Sequence, residues 1–290
     1  MLQLQGRVSD LAGGLQVRRV LPAAARRAVG PFIFFDHFGP VTVPAGIDSD
    51  IGAHPHIGLA TVTYLFEGSF LHRDSLGSVQ PILPGAINWM TAGRGIVHSE
   101  RATDDVRGQA RAMHGLQLWV ALPPALETME PSFQHVPADQ VPSLALPGGG
   151  DVRVLVGEAL GRRSPVRTVS PTLYLDVDLP AGARWALPAL APEMALYSPE
   201  QPLEVDGQNL AARTMAVLPA GQGAWLQAGP AGARLVVIGG APLEQPVRMW
   251  WNFVSVDQER IAQAARTWAK GGFADIPGEA GRVAAPPWRA

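Results

Sequence analysis

The chain contains no cysteine among its 290 residues. Disulfides, thiolate nucleophiles and cysteine-type zinc sites are excluded together, so any tightly held metal has to use imidazole, carboxylate and water. Lysine is nearly as scarce: Lys270 stands alone, and arginine carries the rest of the positive charge. With 23 basic against 25 acidic residues the formal charge is −2, which leaves no electrostatic footprint for nucleic acid. No apolar run reaches membrane-spanning length, because Gly, Pro or Arg interrupts every candidate. The opening MLQLQGRVSD also lacks the basic-then-apolar layout of a signal peptide. A soluble, cytoplasmic protein that touches neither membrane nor nucleic acid is therefore expected. Histidine is missing from the whole second half, since all seven lie at or before His135.

What is present is a chain able to bury a large core, at 47% hydrophobic and 17% charged. Gly and Pro, 32 and 27 in number, fall at short intervals between apolar runs. VTYLF, GLQLWV, VRVLV, TLYLDVDL, EMALYS and RLVVIGG all have strand length, branched or aromatic residues and turn residues at their ends. Short strands at such spacing predict an all-β architecture of sandwich or barrel type. One helix is predicted late, in SVDQERIAQAARTWAKGG: Ser255 or Asp257 can cap it, Ile261, Ala264, Ala265 and Trp268 recur at helical spacing, and Gly271 stops it. Pro and Gly cluster over residues 136–151, which predicts two strand-rich domains, 1–141 and 142–290. Any imidazole site belongs to the first. The Pro- and Gly-rich tail after Gly272 is expected to wrap the surface without forming an element.

Two short pairs carry the chemistry. In IGAHPHIGLATVTYLFEG, His54 and His56 are spaced i, i+2, so an extended strand projects both to one face. In PGAINWMTAGRGIVHSE, His98 and Glu100 repeat that spacing. Three imidazoles and a carboxylate from two neighbouring strands make a four-ligand site with two octahedral positions left open. The alternative is two hydrogen-bonded histidine pairs with purely structural roles. Gly93 and Gly95 let the backbone approach closely at the entry to the second strand. They are not a phosphate loop, because no lysine follows and no helix opens.

HPHIGLATVTYLFEGSFLHRDSLG, PGAINWMTAGRGIVHSER and HGLQLWVALP resemble the defining blocks of the pirin family, a branch of the cupin superfamily. GPFIFFDHFGP and WWNFVSVDQERI resemble further segments of it, in the expected order. The resemblance implies a bicupin: two tandem β-sandwich barrels and a short C-terminal helix, with residues 1–141 as the metal-binding cupin domain and 142–290 as a metal-free one. It implies a metal held by His54, His56, His98 and Glu100, iron(II) as first choice, with nickel, copper, manganese, cobalt or zinc compatible. It further implies dioxygenase chemistry on quercetin-type flavonols with O2, in which Glu100 would act as general base. The competing implication is a metal-dependent regulatory module that binds a protein partner without turnover. A zinc hydrolase is weaker, since no further base can be named. One departure stands out: Ala60 occupies a position where many of the family keep a glutamate.

The remaining residues are assigned more modest roles. Asp36, in FFDHF, is the candidate for contact with a ligand side chain or substrate, an ordinary turn aspartate being the alternative. His37 is expected to be structural. His72 is assigned to a hairpin in which Asp74 and Ser75 make turn hydrogen bonds. His114 is expected to be a core histidine rather than part of the cavity wall. Trp250 and Trp251 are expected to pack between the domains.

Overall fold

The computed structural model describes residues 1–10 and 16–288. All six of the apolar runs are strands: Leu59–Glu67, Arg111–Ala121, Asp151–Val156, Thr172–Leu179, Glu193–Ser198 and Ala233–Gly240. They belong to two cupin domains, each built from facing antiparallel sheets. No helix among the described residues is long and apolar enough to cross a membrane.

The compact units are not the two sequential halves expected. One comprises Met1–Val8, Arg18–His37 and Asp139–Pro242; the other comprises Ser9–Val17, Phe38–Ala138 and Leu243–Ala290. The chain does pass from one unit to the other at 138/139, inside the Pro- and Gly-rich stretch, but both of its ends are exchanged. Leu2–Gln5 lies antiparallel on Thr214–Val217 as an edge strand of the unit that holds 139–242. A partner more than 200 residues away leaves no local trace in the sequence.

That first unit has an apolar interior. Val152, Val154, Leu175, Val177, Leu196, Val205, Leu226, Leu235 and Val237 fill it between the sheets. Buried aliphatic side chains at this density stabilise a barrel.

The other unit has a four-stranded sheet in the order Ile51–His56, Ile96–Arg101, Phe70–Asp74, Val79–Ile82. Ser132–Val136, Ile87–Thr91, Leu59–Glu67 and Arg111–Ala121 pair in that order in the sheet opposite. The helix, Gln258–Ala269, also belongs here rather than to a 142–290 domain. Asp257 is its cap, accepting from the Glu259 amide at 2.9 Å. Its stripe of Ile261, Ala264, Ala265 and Trp268 packs on Ala53, Ile57 and Val97, residues of the histidine-bearing strands and the turn after them. Trp250 and Trp251 join the same cluster with Phe253, and so pack against Ala53, Ile57 and Val97 of the 1–141 segment as expected, within this one compact unit.

Ser255, the other candidate cap, serves a different purpose. It donates to Glu127 Oε2 at 2.5 Å, while Glu127 Oε1 accepts from the Val256 amide and Arg260 completes the pair at 3.0 Å. Glu127 is 1% exposed. A buried carboxylate with three donors ties the start of the helix to the 124–126 turn. Removing the carboxylate strands the Arg260 charge and the two other donors.

Two outcomes follow from the exchange of chain ends. Residues 1–141 expressed alone lack the helix that covers Ala53, Ile57 and Val97, and should show no cooperative thermal transition. In the full chain, Glu127→Ala should cost about 3–5 kcal/mol in denaturant unfolding, and Trp268→Ala about as much through lost packing. A 1–141 fragment that unfolds cooperatively would contradict this division of the chain.

Candidate metal centre

The pleat decides which side chains meet. Along Ile51–His56, His54 and His56 point inward while Ala53 faces the helix; along Ile96–Arg101, His98 points inward while Val97 faces the helix. Antiparallel register sets His98 opposite His54 and Ile96 opposite His56. Gly93, at φ +52°, and Gly95, at φ +152°, turn the chain into the second strand. A Cβ on Gly93 would lie 2.0 Å from the Met129 carbonyl oxygen, and one on Gly95 would strike the Phe273 ring at 2.9 Å. Only glycine fits either place.

Three ligand nitrogens, one each from His54, His56 and His98, lie within 4.8 Å of one another. His56 Nε2 and His98 Nε2 are 3.1 Å apart. His54 Nδ1 lies 2.8 Å from the Gly52 carbonyl oxygen and donates to it, which leaves Nε2 as the free donor atom of that ring. Burial lowers all three imidazoles as bases: His54 to about 4, and His56 and His98 well below the ordinary 6.5, with the neighbouring imidazoles adding to the effect. The rings are therefore neutral at pH 7, the form that binds a metal.

The donor set passes a chemical test of fit. Oε2 of Glu100 is buried without a hydrogen-bond partner. Two Nε2 atoms 3.1 Å apart can share one ion at roughly a right angle if each bond is about 2.0–2.1 Å. Without a cation two neutral rings face each other nitrogen to nitrogen and the Glu100 oxygen stays unsatisfied, a buried group left so costing about 1–3 kcal/mol.

Glu100 stands to one side of this group. Its Oε1 is 3.6 Å from His98 Nδ1, and it is not among the residues whose ligand atoms converge. The register shifts between His98 and Glu100 against the first strand, which displaces the carboxyl along the site. Burial alone pushes it up to about 8. At neutral pH it is a protonated acid beside three neutral imidazoles.

Asp36 is not among the residues whose ligand atoms converge. It lies in the other unit, where Arg19 holds both of its oxygens, Nε to Oδ1 at 2.9 Å and Nη2 to Oδ2 at 2.8 Å. Burial raises this carboxyl and Arg19 offsets part of the rise. A bidentate pair of this kind is a structural anchor. His37 is structural as expected, its Nδ1 2.7 Å from the Tyr197 hydroxyl. His114 is buried, with its ring against Phe66. Ala60 is fully buried, so no carboxylate stands in the position noted above.

His72, a hairpin residue by its sequence, has its ring at the site. Its centroid is 5.3 Å from that of His98, it stacks on Phe133 at 4.3 Å, and its Nε2 lies 3.1 Å from Asp74 Oδ2. Asp74 does make the expected turn bonds, accepting from the Leu76 and Ser78 amides. The i, i+2 spacing that singled out His54 and His56 also links His72 with Asp74. What the sequence lacked was the register that sets Phe70–Asp74 beside Ile96–Arg101.

The Pirin family model matches residues 14–120 and the Pirin C-terminal cupin domain model matches 174–274. A pirin-like protein of Caulobacter vibrioides is 43% identical over 93% of this chain and 93% of its own. Human pirin is 35% identical over 90% of this chain and 89% of its own. A crystal structure of quercetin 2,3-dioxygenase from Acinetobacter baumannii superposes with a TM-score of 0.91 at 37% identity, covering 99% of this chain and 95% of that one.

Metal uptake should expel a proton. At pH 7 the histidines are already neutral and have none to give, whereas Glu100 is protonated until about pH 8. A cation favours the carboxylate, so apparent affinity should rise about tenfold per pH unit between 6 and 8 and level off above. Calorimetry in buffers of different ionisation enthalpy should find about one proton released at pH 7, and none in Glu100→Gln. His98→Ala should leave a folded chain that binds no metal. Unchanged proton release in Glu100→Gln would dissociate Glu100 from the centre.

Proposed function

Because the chain belongs to the pirin family, we propose that it is a mononuclear metal-dependent dioxygenase that opens flavonols of the quercetin type with O2 and releases carbon monoxide. The observation that carries this reading is the convergence of three buried neutral imidazoles beside an unpartnered buried carboxyl. His54, His56 and His98 are the ligands we assign, with Glu100 as the fourth. Iron(II) is the metal we assign, since neutral nitrogen and oxygen donors with open positions suit oxygen chemistry; manganese, cobalt, nickel, copper and zinc fit the same donors. When bound, the cation supplies Lewis acidity that favours the ionised 3-hydroxyl of the flavonol.

The chain's own groups supply the rest. Glu100, ionised once the cation is bound, takes the 3-hydroxyl proton as general base. The edge of Trp119 lies against His56, and Phe133 stacks on His72. Aromatic surface at this depth suits a flat apolar ligand and keeps water from the acid–base pair. Asp74 holds His72 in one orientation beside His98, so the wall next to the ligands is rigid.

Aerobic assay of the iron(II)-loaded chain should show loss of quercetin with release of carbon monoxide. Glu100→Gln should retain part of the metal and lose about 10²–10⁴-fold in turnover, the range of a missing general base. Equal rates in the two proteins would remove Glu100 from the mechanism. Full metal occupancy without turnover, for each metal tried, would replace the enzyme with a metal-dependent regulatory module.

A further inference from the structure

The segment after the helix makes a set of contacts that neither the ligand set nor the proposed reaction explains. Residues 273–288 form no strand or helix. They nevertheless lie along the outer face of the sheet whose inner face carries the imidazoles. Each of the three strands nearest the site is tied to them once or more. The Val283 amide donates to the Ala53 carbonyl oxygen at 2.8 Å, one residue before His54. Ser99, between His98 and Glu100, donates its hydroxyl to Glu279 Oε1 at 2.5 Å. Arg101, the residue after Glu100, donates to Glu279 Oε2 at 2.7 Å. Arg73, between His72 and Asp74, donates to the Pro277 carbonyl oxygen at 2.9 Å.

The pattern is one of alternation. Every strand residue gripped from outside is the immediate neighbour of a residue that faces the site. Ser99 is fully buried and the Glu279 side chain is only 5% exposed, so these are not rim ion pairs of small worth. Ile276 is 4% exposed and packs in the same cluster as Ala53, Ile57 and Val97. Trp268 Nε1 donates to the Val283 carbonyl oxygen at 3.1 Å, which fastens the segment to the helix as well. Ile51–His56 is moreover an edge strand of its sheet. Its outward-facing carbonyl at Ala53 would otherwise be open to water or to another chain.

We propose that residues 276–283 are a strap that sets the spacing of the ligand-bearing strands, with Glu279 as its positioning residue. Glu279 touches no ligand atom; it acts through Ser99 and Arg101, which fix the backbone on either side of Glu100 and after His98. Outer contacts of this sort tune a centre by holding its ligands at the right separation, and losing them costs metal affinity before it costs the fold. The proposal rests on the metal-centre reading and adds to it a cause for the ligand geometry.

Cobalt(II) is the probe, because its visible d–d spectrum reports coordination geometry independently of turnover. In the full-length chain, Glu279→Ala should weaken cobalt binding about 10–100-fold and change the position or intensity of the d–d bands. Glu279→Gln, which can still accept from Ser99, should fall between it and the wild type, and it serves as the test if the alanine variant does not fold. Met113→Ala, a core truncation in the same unit away from the strap, should lower the melting temperature yet leave the cobalt spectrum unchanged. A cobalt affinity and spectrum in both Glu279 variants equal to those of the wild type would overturn the strap. A cobalt shift of the same size in Met113→Ala would overturn it too, by showing that general destabilisation suffices. Failure of the wild-type chain to bind cobalt would instead sink the metal centre itself.

Discussion

Burying three imidazoles within reach of one another is the constraint on which the rest of this structure depends. Imidazole nitrogens hydrogen-bond strongly in water, and here His98 Nδ1, together with a carboxyl oxygen of Glu100, has no protein partner. Desolvation keeps the rings neutral and keeps Glu100 protonated. The rings therefore resist protonation and keep their lone pairs available to a divalent cation. A fold that tolerates such a cost needs rigid walls, since any relaxation would let the nitrogens find other partners.

The walls are supplied from far away in the chain. Neither the four-stranded sheet nor its facing sheet covers the back of the histidine strands; that is done by the helix and the segment that follows it. Ala53, Ile57 and Val97 are small or medium apolar residues on the reverse of the ligand-bearing strands, and the helix stripe fits them. Glu127 then locks the start of the helix, gathering Ser255, the Val256 amide and Arg260 on one carboxylate. The same pleat that aims histidines inward thus aims a docking surface outward. Function and stability share two strands, which is why substitutions on the outer face bear on the inner one.

The aliphatic unit shows what the same architecture does without that constraint. Its interior is filled by Val and Leu, and its buried polar groups are paired in structural fashion: Asp176 with Arg234, Asp36 with Arg19, His37 with the Tyr197 hydroxyl. Asp36 is instructive. It sits in a segment that resembles the family's cavity border, yet a guanidinium occupies both of its oxygens. A motif gives the position of a side chain along the strand and is silent on which neighbour reaches it first.

Much of the centre was legible in the sequence, because strand periodicity is a local property. The i, i+2 spacing of His54 and His56 is enough to put two imidazoles on one face, and the absence of cysteine left imidazole as the main donor. The aliphatic character of the later strands, and the lack of histidine beyond His135, likewise pointed any imidazole centre to the earlier part of the chain. Periodicity does not report register, and register is what set His72 beside His98 and moved Glu100 off the point where the three nitrogens meet. Nor does it report which ends of the chain close which barrel: Leu2–Gln5 pairs more than 200 residues away, and the helix covers strands some 200 residues before it. Local pattern thus specifies the strands, their inward donors and the chemistry those donors allow. Which donors converge, and what holds them there, depends on long-range pairing that no window of residues encodes.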